Sequence, residues 1–310
     1  MSPLGQALQD YLAIRRQLGF PLVKDGRRLE AFVSFLDDAG ATRITSELAL
    51  EWARRPGEAH RYHCRQRLTI VRGFARYLAA IDPDSEVPSA DLLPARYSRR
   101  APYIYSPEEI TALMAAARAL TPPLHGAGIE TVIGLLAASG ARIGETLALD
   151  RENVDLDDGI LHVRAAKHSR QREIPLHQST TQALARYARL RDRQVPRPQT
   201  PAFFLDPRGR RLTSWSVQQA FRELIQQAGL EGSGPRRRPR LHDLRHTMAV
   251  RTLLGWYRAG EDVDRKMPLL STYLGHTNPV HTYWYLQAVP ELLQLVSGRL
   301  DQLQQKEELS

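Results

Sequence analysis

Four residues of three types that together can act on a phosphodiester stand close in one stretch, HDLRHTMAVRTLLGWYRAGEDVDRKMPLLSTYLGHTNPVHTYWY, residues 242 to 285. His242 and Arg245 are three positions apart, His276 follows Gly275, and Tyr285 comes nine positions after that. A guanidinium grips phosphate oxygens through a planar fork of donors. An imidazole can donate to the same oxygens or accept a proton, and a phenol can attack phosphorus. The phenol ordinarily titrates near pH 10, so it needs neighbouring cations and a proton acceptor to react at neutral pH.

Two upstream residues extend this set. Arg142 in SGARIGETLAL lies among apolar neighbours, where an unpaired guanidinium would be costly. Glu145, three residues on, is the natural partner, and a purely structural ion pair explains those two residues as well as chemistry does. Arg245 changes the balance, because two guanidiniums can clamp the non-bridging oxygens of one phosphate. Lys167 in AAKHSRQREIPL falls between two strand candidates, with Arg170 nearby as a substitute cation. HDLRH also places His242 and His246 four apart, as on a zinc protease helix. Aspartate replaces the glutamate of that pattern and no third ligand stands at a suitable distance, so neither a metal nor a cofactor is expected.

These motifs resemble those of the tyrosine recombinase (phage integrase) family. The resemblance is specific through the second half of the chain and rests on architecture alone in the first third. It implies that Arg142 and Arg245 are the family's two arginines, with Glu145 as the acidic support. It further implies that Lys167 protonates the leaving 5′ oxygen. His242, in H-x-x-R, hydrogen-bonds the phosphate or acts as base, and His276, in L-G-H, donates to the scissile phosphate. Tyr285 is the nucleophile that forms a 3′-phosphotyrosyl link. Tyr283 lies two positions earlier, about 200° around a helix, and is assigned to packing. The 34 positions from His242 to His276 exceed the usual family spacing. The excess, GWYRAGEDVDRKMPLL, reads as an extended surface loop or a partner contact.

The elements that must position these residues read as mainly α with a small antiparallel β-sheet: a helical N-terminal core-binding domain at 1–95, a linker at 96–106, and an α+β recombinase catalytic domain at 107–310. Apolar residues recur at helical spacing through Leu4, Leu8 and Leu12, and again through Leu29, Phe32, Val33 and Leu36. Thr45 or Ser46 caps a third helix, and a fourth spans about 60–81 with Arg61, Arg65, Arg67, Arg72 and Arg76 opposite its apolar stripe. Prolines and Arg96, Arg99 and Arg100 mark the linker. Ser106-Pro107-Glu108-Glu109 begins a helix, another is expected from about 129 to 138, and Gly140 ends it. Strands are expected near Val154, at 160–164 and at 172–176, followed by helices at 178–193 and 214–228.

At 310 residues the chain suits about two domains. A net charge of +9 points to a polyanionic partner. Arg61, Arg65, Arg72, Arg96, Arg99, Arg100, Arg236, Arg237 and Arg238 are the residues expected on double-stranded DNA. A single cysteine, Cys64, excludes an intramolecular disulfide framework, which fits the cytoplasm. No apolar run reaches the roughly 18 residues a membrane span needs. The family resemblance implies a homo-tetramer on synapsed sites; the longer insert and the sequence TYWYLQAVPELL favour service to a mobile element. A Xer-like resolvase of chromosome or plasmid dimers, a type IB topoisomerase-like enzyme and a catalytically inactive DNA-binding regulator are the alternatives.

Overall fold

The computed structural model describes residues 2–55, 61–93, 101–164, 171–230, 239–276, 278–288 and 291–294. The chain divides into two compact units, Met1–Arg99 and Arg100–Ser310.

The first unit holds α1 (Pro3–Gln17), α2 (Val23–Asp38), α3 (Ser46–Arg54) and α4 (Arg61–Ala79). Their apolar stripes meet in one core of Leu8, Leu12, Leu29, Phe32, Leu36, Trp52, Leu68, Val71 and Phe74. The Ser2 hydroxyl accepts from the Gly5 N–H and that of Thr45 from Leu48, so both helices begin where a side-chain oxygen satisfies a first-turn donor. Cys64 is buried in α4. The basic face of α4 is not uniform. Arg65 and Arg76 are exposed, but Arg67 stacks on the Trp52 ring at 3.9 Å and Arg72 donates from Nε to the Pro88 carbonyl at 2.9 Å. Arg67 is thus a packing residue, and Arg72, expected on DNA, is tied to its own chain.

The second unit begins with α5 (Pro107–Arg118), closed by a reciprocal capping box between Ser106 and Glu109. α6 (Pro123–Ser139) starts about six residues earlier than its apolar pattern suggests. Gly126 and Gly128 weaken the local helix signal, yet tertiary packing requires the first of them. A Cβ on Gly126 would lie 2.5 Å from the Leu120 carbonyl and 2.8 Å from that of Ala117, at the end of α5. Gly140, left-handed at φ 62°, ends α6, and α7 (Ile143–Ala148) follows.

β1 (Val154–Asp155), β2 (Ile160–Arg164) and β3 (Gln171–Pro175) form an antiparallel sheet in the order β1-β2-β3. The pairing of Arg164 with Gln171 and of Leu161 with Ile174 fixes its register. Next come α8 (Gln178–Gln194), α9 (Ser214–Gln227), α10 (Asp243–Arg258), α11 (Val263–Leu274) and α12 (Val280–Ala288). The helices α5, α6, α8 and α9 enclose a core that includes Phe203 and Phe204, fully buried between α8 and α9 in sequence. α10, α11 and α12 share a second core with Tyr285.

The stretch between Arg245 and His276 is not an extended loop: it is the end of α10, a short turn and α11, whose start is capped by Asp262. The mainly α architecture with its small sheet therefore stands as read. No helix among the described residues is long and apolar enough to cross a membrane.

Gly126→Ala should lower the stability of the second unit by about 1–3 kcal/mol in urea unfolding, because backbone carbonyls cannot yield to the added methyl. Gly144→Ala, with nothing within 4 Å of its Cβ position, should leave stability level or slightly raised. Equal effects at the two positions would contradict this account of the α5–α6 contact.

Candidate active site

Four helix ends build the site. α6 ends at Gly140 and α7 begins beside Arg142; α10 begins at His242 and α11 ends at Gly275. A helix C-terminus leaves carbonyls without partners and carries the negative end of the helix dipole, so it favours a cation. Arg245, only 2% exposed, uses both these ends. It donates to the Gly140 carbonyl at 2.6 Å and to the Leu274 carbonyl at 2.6 Å. Arg142 donates to the next carbonyl of the same turn, Gly275, at 2.9 Å. The two guanidiniums are thereby held on consecutive carbonyls of α11.

Glu145 offsets this gathered positive charge. Its carboxylate accepts from the Arg142 backbone N–H at 2.9 Å and from the Arg142 guanidinium at 2.8 Å. The expected pair therefore forms, but as a cap at the start of α7 rather than as neighbours on one helical face. Glu145 also accepts two hydrogen bonds from Arg172 of β3, at 3.2 and 2.8 Å. Burial pushes the Glu145 carboxyl up, yet the Arg142 N–H and the two guanidiniums hold it below the usual carboxylate range. Desolvation, then the charge of Arg142, pulls Arg245 down to about 10, which leaves it a cation at neutral pH.

Arg172 is a site residue that motif reading missed. Its local signal was the strand period: two positions before buried Ile174, it points to the same inner face. Gly275, left-handed at φ 65°, is required beside it, because a Cβ there would overlap the Arg172 guanidinium.

α12 brings Tyr285 to the same place. Tyr285 is 1% exposed while Tyr283 is 41% exposed, so the two face opposite ways as their spacing requires, but Tyr283 is not the packing residue it was taken for. The Tyr285 hydroxyl lies 2.9 Å from Nδ1 of His246, a residue for which the motifs give no catalytic role. His276 reaches the Thr282 hydroxyl through Nδ1 at 2.7 Å and stacks beside the Tyr285 ring at 6.5 Å. In the tautomer where the Thr282 hydroxyl donates to Nδ1, His276 presents an Nε2–H donor. His242 caps α10 with its ring against that of His246 at 4.6 Å. Asp243 fixes this corner by accepting from the Arg240 backbone at 2.8 Å and from its guanidinium at 2.9 Å.

All three imidazoles are uncharged at neutral pH. Desolvation, followed by His242, Arg240 and Arg245, pulls His246 down to about 3. Desolvation, followed by Arg245 and Arg142, does the same to His276, also to about 3. His242 has an exposed outer edge, yet crowding of its ring and then Arg245 lower it as well.

The described residues thus bring together Arg142, Glu145, His242, Arg245, His276 and Tyr285. Lys167 and its substitute Arg170 lie outside the described residues, between the paired ends Arg164 and Gln171. Arg96, Arg99, Arg100, Arg236, Arg237 and Arg238 lie outside them too, and Arg61 opens α4. Among the described residues no group of His, Cys, Asp and Glu is arranged to hold a metal ion.

The profile of the Phage integrase family matches residues 104–291. The integrase/recombinase y4rB of Sinorhizobium fredii (strain NBRC 101917 / NGR234) is 41% identical over 307 residues, covering 97% of this chain and 98% of that protein. In fold, the chain matches a lambda integrase dimer bound to a COC′ core site, with TM-score 0.66 and 18% identity over 91% of this chain and 94% of that one. The Tn1549 transposon integrase in complex with transposon right end DNA matches with TM-score 0.64 and 18% identity, over 95% and 99% of the two chains. The chain belongs to the phage integrase family, the tyrosine recombinases. It is a tyrosine-type site-specific recombinase, an enzyme that breaks and rejoins DNA strands.

Neutral buried histidines impose a pH dependence whose sign follows from linkage. Their folded values lie below the unfolded value of about 6.5, so below that pH the unfolded chain binds protons that the folded chain refuses. Stability is fully present above about pH 6.5 and falls as the pH drops toward the folded values. Urea unfolding between about pH 7 and pH 5 should show this loss, and His246→Asn should flatten it, since carboxylates titrate lower. An unchanged slope in that variant would show that His246 is not held neutral.

Proposed function

We propose that this recombinase moves a mobile element by cutting and rejoining double-stranded DNA through Tyr285, with Arg142 and Arg245 clamping the scissile phosphate. The convergence of two guanidiniums on one helix end, beside a buried tyrosine, carries this reading. Their geometry suits the charge that builds on the phosphoryl oxygens in the five-coordinate transition state. Attack by the Tyr285 oxygen forms a P–O bond, the bond to the 5′ oxygen breaks, and the DNA is left with a 3′-phosphotyrosyl link and a 5′-hydroxyl.

Lys167 protonates the departing oxygen, and His276 donates from Nε2 to the phosphate. His242, three residues before Arg245, hydrogen-bonds the phosphate. Because the link conserves the bond, a 5′-hydroxyl from a second duplex reverses the step without nucleotide or metal. Exchange between two duplexes requires four strand cuts, hence four copies of the chain on synapsed sites. Residues 1–95 and the arginines at 61, 65, 96, 99, 100 and 236–238 supply the grip on the DNA backbone, whose affinity is salt-dependent. The setting is the cytoplasm. The mobile-element assignment rests on the naming of y4rB as an integrase/recombinase and of the Tn1549 protein as a transposon integrase.

The test is a nicked suicide duplex carrying a sequence selected from a random pool by binding to the protein. A covalent adduct should form in EDTA and vanish in Tyr285→Phe while DNA binding persists. Arg142→Ala and Arg245→Ala should each slow adduct formation by about 100-fold or more, the scale of losing one preorganised donor of about 3 kcal/mol. An adduct that survives Tyr285→Phe would move the nucleophile elsewhere.

A further inference from the structure

We infer that His246 is a further catalytic residue, the group that holds the attacking hydroxyl and takes its proton: Nδ1 of His246 accepts from Tyr285 and receives the phenolic hydrogen as the Tyr285 oxygen bonds to phosphorus. This assignment rests on Tyr285 being the nucleophile. Nδ1 of His246 lies within hydrogen-bond distance of the reacting oxygen, at 2.9 Å. That is the reach a general base requires. The motif histidine, His242, stands one helical turn earlier with its ring edge-on to His246 at 4.6 Å, and so backs the base.

The protonation pattern agrees. An uncharged imidazole has one N–H, and when Nε2 carries it, Nδ1 can only accept. His246 is kept uncharged first by burial and then by the positive field of His242, Arg240 and Arg245 around the start of α10 and of His276 at the end of α11, while the Tyr285 hydroxyl faces its Nδ1. At rest such an imidazole is too weak a base to ionise the phenol. A phosphodiester between Arg142 and Arg245 brings a negative charge that offsets part of this cationic field, so His246 gains basicity only when DNA occupies the site. Proton acceptance is thereby coupled to substrate arrival.

The step balances. The Tyr285 O–P bond forms and the P–O5′ bond breaks. The phenolic proton goes to His246, and the 5′ oxygen gains one from the acid assigned to Lys167. Religation returns both protons.

His246 also packs on Tyr285 and Trp284, with ring centroids 5.4 and 5.6 Å away, so the test must separate packing from proton transfer. His246→Asn keeps an acceptor oxygen near the Nδ1 position but cannot carry the proton at neutral pH; His246→Ala removes both. Single-turnover adduct formation is measured across pH on the selected nicked duplex. A second duplex replaces the scissile 5′ oxygen by sulfur, a leaving group that needs no acid.

His246→Asn should bind DNA like the unaltered protein and form adduct about 100-fold more slowly, equally so with oxygen or sulfur leaving. The acidic limb of the pH profile should be lost. His246→Ala should be slower still. Lys167→Ala should be slow with oxygen and restored by sulfur, which distinguishes the two ends of the reaction.

The inference is overturned by a His246→Asn protein with the unaltered rate, by a defect that sulfur erases, or by slowing with an unchanged pH profile. No adduct from the unaltered protein on either duplex would overturn the Tyr285 reading itself, and this inference with it.

Discussion

The site depends on how two like charges are kept together before any substrate arrives. Arg142 and Arg245 would repel in isolation. They are held because each donates to a carbonyl that a helix C-terminus leaves unpaired, Gly275 and Leu274 respectively, and Arg245 reaches the end of α6 as well. Glu145 then supplies a countercharge on the far side, shared with Arg172. An anion entering between these arginines would meet a preorganised cage, and such a cage costs little reorganisation as charge develops.

A consequence of concentrating cations in a partly dry space is that the neighbouring imidazoles remain neutral. Charged histidines would add to the repulsion, whereas neutral ones can each offer one donor and one acceptor in fixed places. Nδ1 of His276 is directed at the Thr282 hydroxyl, and Nδ1 of His246 at that of Tyr285. The same packing that buries Tyr285 among α10, α11 and α12 therefore also sets the direction of its hydroxyl. Stability and chemistry share these contacts, so substitutions at His246 or Thr282 act on both.

What could be read along the chain was whatever local chemistry dictates. Caps at Thr45 and Ser106, the left-handed stops at Gly140 and Gly275, and the strands expected at 160–164 and 172–176, the latter found one residue earlier at 171–175, each depend on residues within a few positions. The catalytic motifs were legible for the same reason, as short runs around Arg142, Arg245, His276 and Tyr285. Arg172 and His246 were not, because their roles come from partners 27 and 39 positions away. The early start of α6 was hidden by Gly126, which is present to admit the end of α5. Charge spacing along α4 does not show that Arg67 stacks on Trp52 and that Arg72 donates to the Pro88 carbonyl, because those partners lie 15 and 16 positions away.

The central claim is that one chain assembles the whole reactive set, its own tyrosine beside its own arginines. Mixing Tyr285→Phe protein with Arg245→Ala protein on the nicked duplex tests it most directly, since one lacks only the nucleophile and the other only a clamp. If each site is built from a single chain, the mixture forms no more adduct than the two variants do alone. Recovery of adduct on mixing would mean that the tyrosine is delivered from a neighbouring copy, and would contradict the arrangement described.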